Sequence, residues 1–326
     1  MFSEMLMTEL ARDPIFLVDI GARGGLDADL ASIARAVVAI GFEPHPDEAN
    51  ALTSSPPGDW LEQRILPWAI AGTTGEGTLH VPAGLEGASL LPHNDKIIQE
   101  FGHEHLHRTL QQLLVRTIRL DDLAVSGELT KADYIKIDIE GAELDVLKAG
   151  GDLVRMSKVL KVECSFLEQR IGQPLAHEVT GYMATIGFEL IDVLYPYRWR
   201  RRPLPAHPYV ARHEFPYSRG RLAQADLIFA RKFEVDASAL EVRTCVVVLV
   251  ALGYIDQAMT LLRRFPAVVS SLANTGIDLE AEIRVASRVL GRRASREAVF
   301  QQVRNMVPLI RSWTTGLPSA KLKDPY

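Results

Sequence analysis

Asp138 and Glu140 are the residues of this sequence best placed for chemistry. They follow the apolar, β-branched run Tyr134-Ile135-Lys136-Ile137, which has the character of a buried parallel strand. Beyond Gly141, Ala142, Leu144, Val146 and Leu147 are interleaved with Glu143, Asp145 and Lys148, a pattern that suits a helix packed back on a sheet. The spacing sets two carboxylates at the carboxyl end of a central strand, where ligands bind in open α/β sheets. Acids so placed are costly unless hydrogen bonds or a cation meet them. Glu163 lies near the end of a second apolar run, residues 158–166. A buried, unpaired glutamate there has a raised pKa, suited to acid or base work, while a Lys or Arg partner is the plain alternative.

The elements that must position these acids begin with residues 15–20, a buried-strand run. It breaks into Gly21-Ala22-Arg23-Gly24-Gly25, after which a helix is expected. Strand, glycine turn and helix form the opening unit of a nucleotide-binding α/β fold, and the glycines let backbone approach a ligand. Residues 36–42 form the next strand. It ends in Glu43, about 20 residues past the turn, where an acid accepts both hydroxyls of a ribose. Residues 65–72, 78–81 and 115–123 read as further strands or strand-like connectors. Residues 177–186 read as a helix. Residues 187–194 and 224–231 read as an antiparallel strand pair. From about residue 236 the pattern turns helical, over 238–252, 255–264, 277–290 and 296–313, with breaks at Gly253 and Pro266. The expected division is therefore a ligand-binding α/β domain, 1–235, and a helical extension, 236–326, that offers a dimerisation surface or a cover for substrate.

Two loops are candidates for the acceptor side. The small and polar residues of 87–94, His93 among them, could line a site near a sheet edge. The connection before residue 224 carries Arg198, Arg200, Arg201, Arg202, Arg212, Arg219 and Arg221, interleaved with Tyr195, Tyr197, Trp199, Tyr209 and Tyr217, and only Glu214 opposes them. Arginine among aromatics suits an anionic or sugar ligand through forked hydrogen bonds and stacking. Arg198, Arg200 and Tyr197 are the expected contacts. His103 and His107 share a helical face, but nothing beside them demands a metal, so a solvated helix surface is expected and no metal site is assigned.

Bulk properties agree with an ordinary globular protein. The chain has 326 residues, 47% of them hydrophobic, and a net charge of -5, which argues against a nucleic-acid partner. Its two cysteines, Cys164 and Cys245, lie in apolar runs, so buried thiols and a reducing cytoplasm are expected. The N-terminus lacks the pattern of a secretory signal. The longest apolar run, 245–252, falls far short of the roughly 20 residues of a membrane span.

The motif Lys136-Ile137-Asp138-Ile139-Glu140-Gly141-Ala142-Glu143-Leu144-Asp145-Val146-Leu147 resembles the FkbM family of S-adenosylmethionine-dependent methyltransferases. Val18-Asp19-Ile20-Gly21-Ala22-Arg23-Gly24-Gly25, Gly41-Phe42-Glu43-Pro44 and Arg119-Leu120-Asp121-Asp122-Leu123 support the resemblance in the expected order, over about residues 15–232. It implies a class I, Rossmann-like, seven-stranded sheet with helices on both faces and an antiparallel last strand pair. It implies Asp19, Gly21, Ala22 and Gly25 at the amino-acid end of S-adenosylmethionine, Glu43 on its ribose, and Asp138 and Glu140 beside the sulfonium and acceptor. Arg23 departs from the commoner Gly-Ala-Asn-x-Gly turn. The chemistry implied is O-methylation of a hydroxyl or carboxylate on a small-molecule or glycan acceptor, with Asp138, Glu163 and His93, in that order, as candidate bases. A dehydrogenase or epimerase of the NAD type is the rival reading; it lacks a Gly-x-Gly-x-x-Gly turn and leaves Asp-x-Glu-Gly without a task. A non-catalytic relative used for assembly is the third.

Overall fold

A computed structural model describes residues 2–55, 58–84, 87–201, 220–272 and 275–315, excluding the side chains of 301 and 305–315. Its centre is a seven-stranded sheet ordered β3-β2-β1-β7-β8-β10-β9. The strands are β1 (Ile15–Ile20), β2 (Val37–Phe42), β3 (Glu62–Leu66), β7 (Tyr134–Ile137), β8 (Val159–Ser165), β9 (Phe188–Trp199) and β10 (Arg221–Arg231). The first five are parallel; β10 runs antiparallel to both β8 and β9, as the resemblance implies.

Period-two alternation divides the interior between the two faces of this sheet. Leu17, Val37 and Ala39 face α1 (Glu4–Arg12) and the C-terminal helices. Val18, Ile20, Val38 and Ile40 face the opposite layer. That layer contains α5 (Leu120–Ser126), α6 (Glu143–Ala149), α7 (Gly151–Met156) and α8 (Ala176–Thr185), contributing Leu123, Val146, Leu147, Val154 and Met183. The C-terminal set is α9 (Ala239–Ala251), α10 (Ile255–Arg264), α11 (Pro266–Leu272) and α12 (Leu279–Thr315). Residues 245–250 of α9 are apolar all round because they are enclosed all round, with Val246, Val247, Val248 and Val250 wholly buried. Each such valine contributes about 1.5–3 kcal/mol of apolar burial. Through these side chains the C-terminal helices share one hydrophobic core with β1 and β2.

A second sheet, ordered β4-β6-β5, is built from β4 (Ala69–Ile70), β5 (Gly75–Pro82) and β6 (Thr109–Ile118). Here the structure corrects several expectations. Residues 65–72 do not form one strand. Pro67, which has no N–H for a ladder, separates β3 in the large sheet from β4 in the small one. The strand over 115–123 ends at Ile118 and gives way to α5. No α-helix follows the glycine turn directly; only a 3₁₀ segment, Ala31–Ala36, precedes β2. Side chains hold the intervening loop instead: Lys161 Nζ lies 2.5 Å from Asp27 and 2.6 Å from Asp29. The helices expected over 277–290 and 296–313 are one continuous helix, α12. Among the described residues no helix is long and apolar enough to cross a membrane. Both cysteines are free and buried.

Candidate functional site

The carboxyl ends of β1, β2, β7 and β8 open onto a cavity of ≈ 630 Å³. Gly21, at the end of β1, has φ +91°, and a Cβ there would meet the Asp138 carbonyl oxygen at 1.9 Å. Only glycine allows the β1 turn to lie against the tip of β7. Gly21 and Ala22 N–H groups both donate to the Phe42 carbonyl, at 3.1 and 3.0 Å, which ties the turn to the tip of β2.

Glu43 follows that tip and lines the cavity. It is 4% exposed, and its Oε1 accepts the His45 N–H at 2.7 Å. Burial pushes its carboxyl above the ordinary value, and the nearby Arg23 guanidinium opposes the shift. Arg23 also lines the cavity and lies 3.2 Å from Glu48.

Asp138, Glu140 and Glu163 line the opposing wall, their carboxylate oxygens within 4.8 Å of one another. Two cations answer this crowding. Lys136 Nζ lies 3.3 Å from Asp138 and 3.4 Å from Asp19, and donates to the Gly21 carbonyl at 2.9 Å. Arg170 lies 2.8 Å from Glu140. Among the described residues Glu163 has no basic partner of this kind; it accepts from Gln224 Nε2 at 2.7 Å. Burial, then the charges of Glu140 and Asp138, push its carboxyl well above the ordinary range. The three carboxylates could jointly hold a divalent cation, although Lys136 and Arg170 already supply positive charge. Glu140 adopts φ +62°, uncommon for a residue with a side chain, so the turn after β7 is strained where it meets the cavity.

Asp19 is wholly buried beneath this surface. Its Oδ2 accepts the Asp27 N–H at 2.7 Å, and its Oδ1 lies 3.4 Å from Lys136 Nζ. Burial raises its pKa and Lys136 opposes the rise. Of the other sequence candidates, Gly21, Glu43, Asp138, Glu140 and Glu163 meet in the cavity, with Ala88, Ser89 and Leu90 of the 87–94 loop, while Ala22, Gly25, His93, Tyr197, Arg198 and Arg200 do not line it. Ala22 is buried beneath the turn. Gly25 lies past the lining part of the loop, its N–H on the Ala22 carbonyl at 3.0 Å. Tyr197 and Arg198 lie on β9, and Arg200 just beyond it; β9 is an edge strand, with β10 between it and β8. Arg202, Tyr209, Arg212, Glu214, Tyr217 and Arg219 lie outside the described residues.

His93 is buried behind the lining loop, its ring centroid 5.2 Å from that of His107. The solvated histidine surface is also corrected. His103 is 6% exposed and stacks on Trp199 at 4.4 Å, because α3 (Asp95–Phe101) and the single-turn α4 (Glu104–His107) fold against the end of β9.

Residue spacing had not pointed to Arg170, Trp68 or Gln224. Lys136 carried a legible signal, a charged residue within an apolar strand run. The others come from three separate regions of the chain and meet the site only through folding.

The comparisons with known proteins agree with this geometry. Hexuronic acid methyltransferase AglP of Haloferax volcanii is 29% identical over 146 residues, 44% of this chain and 53% of that protein. The match thus spans about half of AglP's length. 2-O-methyltransferase NoeI of Sinorhizobium fredii is 28% identical over 165 residues, 49% of this chain and 67% of that protein. The profile of the methyltransferase FkbM domain matches residues 19–190, from the aspartate buried beneath the cavity to the start of β9, and on that match the chain belongs to the FkbM methyltransferase family.

Proposed function

We propose that the chain transfers a methyl group from S-adenosylmethionine to an oxygen of a sugar-type acceptor, a hydroxyl or a carboxylate. One observation carries this reading: Glu43 lines the same ≈ 630 Å³ cavity as Asp138, Glu140 and Glu163, a size suited to a nucleoside ligand and part of an acceptor. The residues fit such a cofactor. Gly21 leaves room that a Cβ would fill, Glu43 offers acceptors for ribose hydroxyls, and the acids opposite suit a cationic sulfonium. The names of the two relatives, one for a hexuronic acid and one for 2-O-methylation, favour an oxygen acceptor.

When bound, the cofactor supplies a sulfonium methyl group for in-line attack by the acceptor oxygen. The protein's share is to position both reactants. Asp138, half-exposed at the tip of β7, is the group best placed to take the proton of an acceptor hydroxyl, and Lys136 fixes its orientation. Glu163 is the second candidate: burial and the neighbouring acids raise its pKa, and its near partner is the Gln224 amide and not a cation. An acceptor carboxylate would need no base.

Calorimetry with S-adenosylhomocysteine tests this. A folded preparation should bind it, and Glu43→Ala should weaken binding by the roughly 1.5–3 kcal/mol of hydrogen bonds to a charged group. Failure to bind, or equal binding by the variant, would count decisively against the proposal.

A further inference from the structure

Behind Glu140 the fold buries a group of nitrogens that lack hydrogen-bond partners among the described residues. Arg170 has no exposed surface. Its Nη2 donates to the Gly87 carbonyl at 2.9 Å and pairs with Glu140, while its Nε and Nη1 meet no acceptor among the described residues. His93 is 7% exposed, and neither of its ring nitrogens is hydrogen-bonded. His107 Nδ1 and Trp199 Nε1 are orphaned in the same way. These groups are neighbours: the backbones of His93 and Arg170 form a β-bridge, and His107 lies 5.2 Å from His93 and 5.4 Å from Trp199, ring centre to ring centre.

A buried donor left unpaired costs about 1–3 kcal/mol, so orphans gathered in one place call for an occupant. The balance of donors and acceptors says which kind. Arg170 and the indole only donate, and a neutral imidazole offers one donor and one acceptor. The set therefore has surplus donors, which a group with several acceptor oxygens satisfies better than water does. The location ties this set to the cavity. Ala88, Ser89 and Leu90 line the cavity, His93 belongs to the same loop, and Ser89 Oγ donates to the Glu140 carbonyl at 2.8 Å. Arg170 meets the cavity-lining Glu140 directly, so the orphaned set adjoins the cavity wall.

We propose that Arg170, His93, His107 and Trp199 form an oxyanion subsite that holds a carboxylate or phosphate group of the methyl acceptor. The proposal rests on reading the cavity as a methyl-transfer site. It also predicts a linkage to protons. Burial, then Arg170 and His80, lower the His93 pKa to about 4. Burial, then His93, Arg170, His103 and His105, lower that of His107 to about 3. Both rings are neutral at pH 7, and an entering anion favours their protonated forms, so its binding tightens as pH falls below the ordinary imidazole range.

The test is a titration of the full chain with glucuronate, with inorganic phosphate and with glucose as the neutral control, followed by ring-nitrogen NMR of the histidines and by calorimetry. Glucuronate, phosphate or both should shift the His93 and His107 signals, more strongly at acid than at alkaline pH, and glucose should not. A response to glucuronate alone assigns the subsite to a uronic acid; a response to phosphate alone assigns it to a phosphorylated acceptor. His107→Asn and Trp199→Phe should each weaken anion binding about tenfold, or about 1.4 kcal/mol. Trp199→Phe keeps an aromatic ring but removes the five-membered ring with its N–H, so His107→Asn provides the independent second variant. Unmoved histidine signals with both anions, or equal shifts with glucose, would overturn the subsite and leave water as its occupant. S-adenosylhomocysteine binding by the same preparation reads the methyl-transfer proposal separately, so the two cannot fail unnoticed together.

Discussion

The carboxylate of Glu140 lies 2.8 Å from the guanidinium of Arg170, an arginine with no exposed surface, and this pair joins the strained tip of β7 to the loop that lines the cavity. Removing the arginine would take a buried guanidinium from the side of Glu140, which lies near Asp138 and Glu163. Arg170→Met should therefore cost about 3–5 kcal/mol in urea unfolding. Glu140→Gln added to Arg170→Met should recover part of that loss, because one of the crowded negative charges goes too.

Gly21 carries the second prediction. Its positive φ and the 1.9 Å approach of a Cβ to the Asp138 carbonyl leave no room for alanine. Gly21→Ala should lower stability by more than about 2 kcal/mol in thermal unfolding and should abolish S-adenosylhomocysteine binding. Retained binding would mean that the turn does not cradle the cofactor.

Asp138 and Glu163 share the wall of one cavity with different partners, Lys136 for the first and Gln224 for the second. Asp138→Asn should reduce kcat by about 10²–10⁴-fold for a hydroxyl acceptor at every pH. Glu163→Gln keeps the oxygen that Gln224 donates to, so its rate should stay within about tenfold of the parent. Burial and the neighbouring acids raise the Glu163 pKa, so its ionisation falls above the usual carboxylate range; that inflection in kcat/KM should vanish in Glu163→Gln. The reverse pattern would make Glu163 the base.

Glu143 gives a stability prediction with a definite sign. It is 4% exposed, its Oε1 accepts the Gly141 N–H at 2.7 Å, and burial raises its pKa from 4.5 to about 7. The folded state thus binds this proton more tightly than the unfolded chain does. The group's contribution is most favourable below pH 4.5 and declines as pH rises from 4.5 to about 7. The loss is at most about 3 kcal/mol at 1.36 kcal/mol per unit. Glu143→Gln retains an oxygen for Gly141 and removes the titration, so urea midpoints should vary less with pH over this window and should rise at alkaline pH.

Much of the large sheet was legible in the residues themselves, because burial on both faces demands continuous β-branched runs. Residues 15–20 and 134–137 have that composition, and each ends abruptly in glycine or acid where the chain leaves the core. The cavity acids Glu43, Asp138, Glu140 and Glu163 stand at or near such ends and could be named from order alone. Small local preferences misled elsewhere. Pro67 split one apparent strand between two sheets, and residues 119–123, which alternate like a strand, supply the start of α5.

What the sequence by itself determined is which side chains end the parallel strands, since strand periodicity and the glycine turn are local properties of the chain. Only the tertiary structure decided what those side chains face. Arg170 reaches Glu140 and Gly87, and His93, His107 and Trp199 gather, because separate loops are folded over one another at the sheet's carboxyl edge. Arg198, Arg200 and Tyr197 are kept from the cavity because β10 lies between β9 and β8. Pairings of that kind depend on strand order and burial, and no spacing within a single stretch encodes them.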